Sequence, residues 1–115
     1  MRVRVWHGWR AVHDGRDVSQ WGWLEFDGEL LGSLSYTSDE YDSSISFYRT
    51  TDGWIVVAEH RYGDWDKYEV DYGVVSVYAS LDDAARRGWR EDLVRVGAYD
   101  APTRELDALD VKEIE

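Results

Sequence analysis

The sequence predicts an α+β domain, in which a single antiparallel β-meander of about six strands, curled toward a barrel, precedes one helix packed on the sheet. Two observations predict this class. Up to residue 79, short runs of alternating apolar and polar residues are separated by Gly, Asp and Ser, which is typical of half-buried strands joined by turns. After residue 80 the apolar residues recur three and four apart, which indicates an amphipathic helix.

The first half of the chain predicts three strands. Alternation over 3–12 indicates the first strand, and two further strands are expected over 20–26 and 30–36. The pairs Asp14-Gly15 and Asp27-Gly28 follow the first and second strands, and Asp-Gly is a favoured hairpin dipeptide. We therefore expect a hairpin at each pair.

The second half of the sheet begins after a polar stretch, Thr37 to Ser44, which predicts a long loop. Three strands are then expected, over 45–50, 54–62 and 68–79. The segment Thr51-Asp52-Gly53 is typical of the turn between the first two of them. Gly73 lies inside the last one and predicts a bulge.

Ser80 predicts the N-cap of a helix over about 81–96, with Asp83 in the third helical position. Gly97 predicts its end. Gly88 costs about 1 kcal/mol relative to Ala inside a helix, so a break into two short helices is an alternative. We expect a single domain over 1–97, followed by an acidic segment, 98–115, that docks as a helix or edge strand or forms a tail.

The composition indicates adaptation to concentrated salt. Twenty-four acidic residues stand against thirteen basic ones, only two of which are Lys, and the chain has one Gln and no Asn. A protein that mimics DNA would also be acidic, but it has no reason to lose Lys and amide side chains throughout the chain. In about 1 M salt the Debye length is about 3 Å, so long-range steering by these charges would be weak. Partners would then be held by direct contacts.

Few residues indicate catalysis or metal binding. The absence of Cys excludes disulfides and thiolate chemistry. A metal site would need at least two of His7, His13 and His60 to converge with carboxylates, and we expect none. His7 lies among apolar residues, which indicates a hydrogen-bonded core or interface residue. No phosphate-binding loop or nucleophile motif is present. We therefore expect no catalytic residues and no cofactor.

Aromatic and Arg residues supply the candidate binding site. Seven Trp and eight Tyr exceed what a small core readily buries, so some are expected at the surface. Residues 1–16 hold four Arg and one Asp, a balance of +3 in a chain of net charge −11. Alternation places the Arg residues of the first strand around one Trp. The candidate binding residues are Arg2, Arg4, Trp6, Arg10, Trp21 and Trp23.

The sequence therefore predicts a small, salt-adapted, non-enzymatic binding or regulatory module that acts through aromatic and Arg contacts with a protein partner or with itself, as a homo-oligomer. The first alternative is a single-stranded nucleic-acid binder that stacks Trp6 on a base and places Arg on phosphates. Molar salt would remove much of the counterion-release term that drives such binding. The second alternative is a small enzyme that uses strand carboxylates and His60. We expect a cytoplasmic location and no membrane segment, since no apolar run is long enough to span a bilayer.

Overall fold

The computed structural model describes residues 1–13, 16–17, 20–39, 41–65 and 68–100, and it describes side chains in 1–8, 22–39, 41–63 and 71–100. The strands are β1 (Arg2–His13), β2 (Arg16–Asp17), β3 (Gln20–Thr37), β4 (Tyr41–Thr50), β5 (Ile55–Trp65) and β6 (Tyr68–Tyr78). The helical segment that follows consists of α1 (Leu81–Ala84), a wide turn (Ala85–Trp89) and α2 (Arg90–Arg95). The predicted α+β class is confirmed.

The sheet is antiparallel throughout and closes on itself. Its order is β2-β1-β3-β4-β5-β6, and β1 also pairs with β6. The five long strands therefore form a ring, while β2 contributes only two residues, opposite the end of β1. The predicted curling of the sheet is confirmed, but five long strands replace the six that were expected.

The missing strand results from Asp27-Gly28, which does not form a hairpin. Gly28 is not among the glycines with positive φ, which a tight Asp-Gly turn requires. Instead β3 runs straight through, pairing with β1 up to Asp27 and with β4 from Gly28 onward. Gly28 is needed because a Cβ there would meet the carbonyl oxygen of Arg49. The hairpin prediction was wrong, and the expected turn at 14–15 lies outside the described residues.

The polar stretch from Thr37 to Ser44 was also wrongly predicted as a loop. It is mostly strand, since β3 extends to Thr37 and β4 begins at Tyr41. Ser38 closes the connection, because its hydroxyl both donates to the Tyr41 carbonyl and accepts from the Tyr41 amide, at 3.0 and 3.2 Å. A serine that satisfies turn groups in this way lets polar strands join with little connecting chain.

The helical segment begins and ends as predicted. The Ser80 hydroxyl accepts from the Asp83 amide at 3.1 Å, which confirms the N-cap. Gly97 adopts φ 78°, a left-handed conformation that ends the segment. Gly88 adopts φ 109°, so the segment is kinked there, as the alternative reading of Gly88 anticipated. The kink turns the two short helices onto one face of the sheet.

We call the sheet face beneath the helices the covered face. Its fully buried side chains are Phe47, Ile55 and Val57 from the strands and Ala84 and Leu93 from the helices. Trp89 packs edge-on against Phe47, with ring centres 5.8 Å apart, and its indole N–H donates to the Tyr78 hydroxyl at 2.9 Å. Large rings with a satisfied polar atom thus complete a core that has few long aliphatic residues.

The described chain continues beyond the expected domain limit at residue 97. Ala98 and Tyr99, the first residues of the expected acidic segment, pack against the covered face. The remainder of the expected acidic segment, 101–115, lies outside the described residues. Within the described chain, the helices are too short to cross a bilayer.

Candidate functional site

Three of the candidate residues on β1 lie beside one on β3. The pairing register places Trp6 opposite Trp23, Arg4 opposite Glu25 and Arg2 opposite Asp27. Directly paired residues of antiparallel strands project from the same side of the sheet. We call the surface formed by Arg2, Arg4, Trp6 and Trp23 the strand 1 face.

The two Trp rings and Arg4 form a stack on the strand 1 face. The rings of Trp6 and Trp23 meet edge to face, with centres 5.0 Å apart and planes at 78°. The guanidinium carbon of Arg4 lies 4.5 Å from the centre of the Trp23 ring. Arg4 is thereby held over an aromatic face, a favourable cation–π arrangement. Trp23 still exposes 47% of its surface, so one side of this stack faces solvent.

The arginines of the strand 1 face are paired with carboxylates of β3. Arg2 lies 3.3 Å from Glu25 and 3.5 Å from Asp27, and Arg4 lies 3.2 Å from the second oxygen of Glu25. All four groups are exposed, so each pair contributes only about 0–1 kcal/mol to stability. Two positive and two negative groups therefore share this face, and the positive excess of the N-terminal segment is balanced here by the neighbouring strand.

The other two candidate residues belong to the same strands. Arg10 lies in β1 and Trp21 lies in β3, where the register pairs them with Asp71 and Gly8. Their side chains lie outside the described residues. Of the predicted set, the described side chains of Arg2, Arg4, Trp6 and Trp23 are brought together.

A second feature, which the sequence reading missed, is an apolar cleft of about 670 Å³ on the opposite side of β1. We call it the open cleft. Its apolar lining comes from four strands and consists of Val5, Leu24, Phe26, Val56, Val75 and Val77. At one end, the wall of the cleft is completed by Asp27, Asp52, the two threonines before Asp52, and Trp54. One sequence signal could have indicated it. The unbroken apolar run from Trp54 to Ala58 is typical of a strand that is apolar on both faces.

The two histidines whose side chains are described, His7 and His60, have separate partners. His60 Nε2 contacts a carboxylate oxygen of Asp71 on the neighbouring strand, a bond that fixes the orientation of the imidazole ring. His7 Nδ1 accepts a hydrogen bond from the Val75 amide at 3.1 Å, which confirms that it is hydrogen-bonded, and the His13 side chain lies outside the described residues. In the part of the chain whose side chains are described, no three His, Asp or Glu residues gather as metal ligands would.

A polar cleft of about 770 Å³ lies beside the start of the helices, where Tyr99 crosses Asp82. The Tyr99 hydroxyl donates to an Asp82 carboxylate oxygen at 2.6 Å. This hydrogen bond raises the pKa of Tyr99, because it is lost when the phenol ionises beside the carboxylate. The Arg90 guanidinium lies 5.9 Å from the Tyr99 ring centre and acts in the opposite direction on that pKa.

Comparison of the chain with protein-family models, curated proteins and solved structures found no match.

Proposed function

We propose that this protein is a small, non-enzymatic contact module, adapted to concentrated salt, that binds a protein partner through the strand 1 face, and that this partner is a second copy of the chain. The observation that carries the proposal is the half-exposed Trp23 ring, held between Trp6 and Arg4. Trp and Arg are the residue types that most often dominate binding energy at protein interfaces. Because both neighbours already restrain the ring, little side-chain entropy is lost when it is covered.

Self-association is favoured by the charge pattern around Trp23. The positive groups of Arg2 and Arg4 lie on β1, and the negative groups of Glu25 and Asp27 lie on the adjacent strand. A two-fold interface requires a patch that complements itself. Two adjacent rows of opposite charge meet this requirement, since a half-turn brings the positive row of one copy over the negative row of the other.

The same pairing disfavours the nucleic-acid alternative. Phosphate binding depends on basic groups whose contacts with phosphate release counterions. On the strand 1 face, Arg2 and Arg4 already contact carboxylates. A phosphate approaching the strand 1 face would meet Glu25 and Asp27 at the same time. Aromatic contact remains attractive in molar salt, where screening weakens ionic contacts between exposed groups.

The proposal is tested by measuring the monomer–dimer equilibrium of Trp23→Ala by sedimentation velocity in about 1 M KCl. Loss of an interface anchor of this type typically costs at least about 2 kcal/mol, so we expect dimerisation to weaken by about 30-fold or more. The matched control is Trp54→Ala. Trp54 exposes 49% of its surface, nearly the same fraction as Trp23, but it lies at the open cleft. We expect this control to leave the equilibrium unchanged.

A charge exchange separates the ionic contribution from the aromatic one. Arg4→Glu alone places two carboxylates together, whereas Arg4→Glu with Glu25→Arg restores an opposite pair within the same copy. We expect the single change to weaken self-association and the exchange to restore it. If Arg4→Glu combined with Trp6→Ala leaves the oligomeric state and every co-purified partner unchanged, the proposal fails. Quenching of Trp fluorescence by single-stranded oligonucleotides in about 1 M salt would instead favour the nucleic-acid alternative.

The salt adaptation in this proposal has a separate measurement. Self-repulsion among the acidic groups should weaken the fold in dilute buffer, where the net charge of −11 is poorly screened. We expect the free energy of unfolding to rise from dilute buffer to molar KCl. Equal stability in both would remove salt adaptation from the proposal and leave the contact function to be judged on the Trp23 result.

A further inference from the structure

The open cleft lies where the ring of strands comes apart. The ladder between β1 and β6 runs from His13 and Tyr68 to the pair Gly8 and Gly73, and ends there. Gly8 adopts φ 125°, a conformation that favours glycine and bends β1 at this point. On the N-terminal side of Gly8, β1 continues along β3, while β6 continues along β5. The cleft occupies the fork between the two pairs of strands.

The edge of β6 faces this fork. The Val75 amide donates to the His7 ring, not to a β1 carbonyl, so it points away from β5 and toward β1. In an antiparallel strand, main-chain groups of alternate residues point to the same side. The amide and carbonyl of Val77 therefore face the cleft as well. Continuation of the β1–β6 register would have placed Arg4 opposite Val77, but the described ladder stops before that pair.

The side chains around this edge suit an extended chain. Val75 and Val77 line the cleft beside the edge groups, and Val5, Leu24 and Val56 line it from the other strands. Leu24 and Val77 expose 45% and 56% of their surface, so apolar area remains to be covered. A peptide that adds to a strand edge gains affinity from main-chain hydrogen bonds and specificity from alternate side chains in such a lining.

One end of the open cleft is acidic. Asp27 and Asp52 both belong to its wall, at the end where β6 finishes and β5 begins. The Asp27 carboxylate is directed to the strand 1 face, where it lies 3.5 Å from Arg2, whereas Asp52 is exposed at the turn between β4 and β5. A strand added antiparallel to β6 would begin at this end. A basic residue at the start of that strand would therefore meet the Asp52 carboxylate.

We propose that the open cleft binds an extended peptide that pairs with the edge of β6 at Val77, packs alternate small apolar side chains against the exposed Leu24 and Val77, and places a basic N-terminal residue against Asp52. This site is distinct from the strand 1 face, since Val5 and Arg4 project from opposite sides of β1. It takes a different partner and does not depend on self-association through Trp23.

The probe is a seven-residue peptide of alternating valine and threonine that begins with arginine and carries a fluorescent label at its C-terminus. Fluorescence polarisation with the full chain in molar KCl measures its affinity. We expect saturable binding below about 1 mM and at least a 10-fold loss of affinity in two altered peptides. One has proline at its central position, which removes a ladder donor, and the other has glutamate in place of arginine.

Variants of the protein assign the binding to this edge. Val77→Pro removes the amide that faces the cleft and spares the hydrogen bonds to β5, because the Val75 amide points away from β5 and the amide of Val77, two residues on, points the same way. We expect at least a 10-fold loss of affinity for this variant, and a loss for Asp52→Asn that is confined to the arginine-led peptide. Trp23→Ala should bind the peptide as the unaltered chain does. Thermal unfolding checks that each variant is folded, and changes in the amide resonances of Val75 and Val77 on peptide addition report the edge without any mutation.

The outcomes are distinguishable. No binding at about 1 mM peptide overturns the proposal, as does equal affinity for the proline-containing peptide. If Trp23→Ala loses peptide binding while Val77→Pro keeps it, the peptide binds at the strand 1 face, and the proposal is overturned. Failure of the dimer test together with intact peptide binding would remove the proposed function and leave this inference standing.

Discussion

The two sides of strand β5 differ in what covers them. Val57 faces the helices and is fully buried with Phe47 and Leu93. Its neighbour Val56 is also buried, but it lines the open cleft, where Leu24 and Val77 remain about half exposed. Both faces carry aliphatic side chains of the same kind. What differs is the cover, because within the described residues the kinked helical segment packs on the first face.

This contrast indicates how a chain of 115 residues can combine stability with a binding surface. The covered face supplies a core without help from any partner. The open cleft retains two exposed apolar side chains, Leu24 and Val77, that a bound peptide would cover. Substitutions on the covered face should therefore affect folding, and substitutions of the exposed cleft residues Leu24 and Val77 should affect binding.

The largest difference is expected between Leu93→Ala and Val77→Ala. Leu93 has no exposed surface, so its truncation removes buried methyl groups and leaves a cavity beneath α2. We expect a loss of about 2–5 kcal/mol in the free energy of unfolding. Val77 exposes more than half of its surface, and its truncation should cost less than about 1 kcal/mol. Denaturant unfolding of both variants measures the difference. Similar losses in the two would mean that the cleft contributes to the core as much as the covered face does.

The second prediction concerns how closely the helix approaches the sheet. A Cβ on Gly32 would lie 2.5 Å from the Cβ of Val96, so Gly32→Ala should push the end of α2 away from β3. We expect a loss of about 1–3 kcal/mol. Gly22 lies on the same strand, and a Cβ there has no neighbour within 4 Å. Gly22→Ala is the matched control and should leave stability nearly unchanged. A similar effect of both changes would attribute the loss to strand backbone rather than to the helix contact.

The third prediction concerns Gly88, where the kink decides whether a substitution stabilises or destabilises the fold. In a continuous helix Gly88→Ala would stabilise the protein by about 1 kcal/mol. Gly88 instead adopts φ 109°, where a Cβ is unfavourable, so we expect Ala to destabilise the fold by about 1 kcal/mol. Gly88→Asn should cost less, since Asn tolerates left-handed backbone better than Ala. Thermal unfolding of the two variants gives the order, and a stabilising Ala would show that the cover does not need the kink.

The sequence predicted those elements whose boundaries depend on local groups. Ser80 and Gly97 bounded the helix correctly, since an N-cap hydroxyl and a left-handed glycine act on their own turn. The hairpin prediction at Asp27-Gly28 was wrong because the dipeptide that is typical of hairpins also lets two strands approach closely. Only the partner strand β4, brought there by the closed sheet, decides between these uses.

The candidate site was predicted in part for the same reason. Strand alternation was enough to group Arg2, Arg4 and Trp6, because it depends only on position within one strand. The neutralisation of the arginines by Glu25 depends on the register between β1 and β3, which the sequence did not provide. The open cleft depends on where the β1–β6 ladder ends. Such long-range pairing is set by the whole ring rather than by any segment of it.

The smallest expected effect tests where the covered face ends. Tyr99 packs at the margin of that face and donates to Asp82, which raises its pKa above the ordinary value of about 10. A raised pKa means that the folded state holds this proton more tightly than the unfolded state does. The stability gained from the hydrogen bond is therefore present below the ordinary pKa and is lost as the pH rises through the folded pKa.

Tyr99→Phe should accordingly be less stable than the unaltered chain near neutral pH, and the difference should shrink above pH of about 10 as Tyr99 ionises. Denaturant midpoints across this range give the comparison, and the difference between the ultraviolet absorbance titrations of the two proteins isolates the Tyr99 transition. Asp82→Asn should move that transition back toward lower pH, because the hydrogen bond to the Asp82 carboxylate is the largest cause of the raised Tyr99 pKa. A Tyr99 transition at the ordinary position in the unaltered chain would mean that the hydrogen bond to Asp82 is not formed in solution and does not anchor Tyr99 at the margin of the covered face.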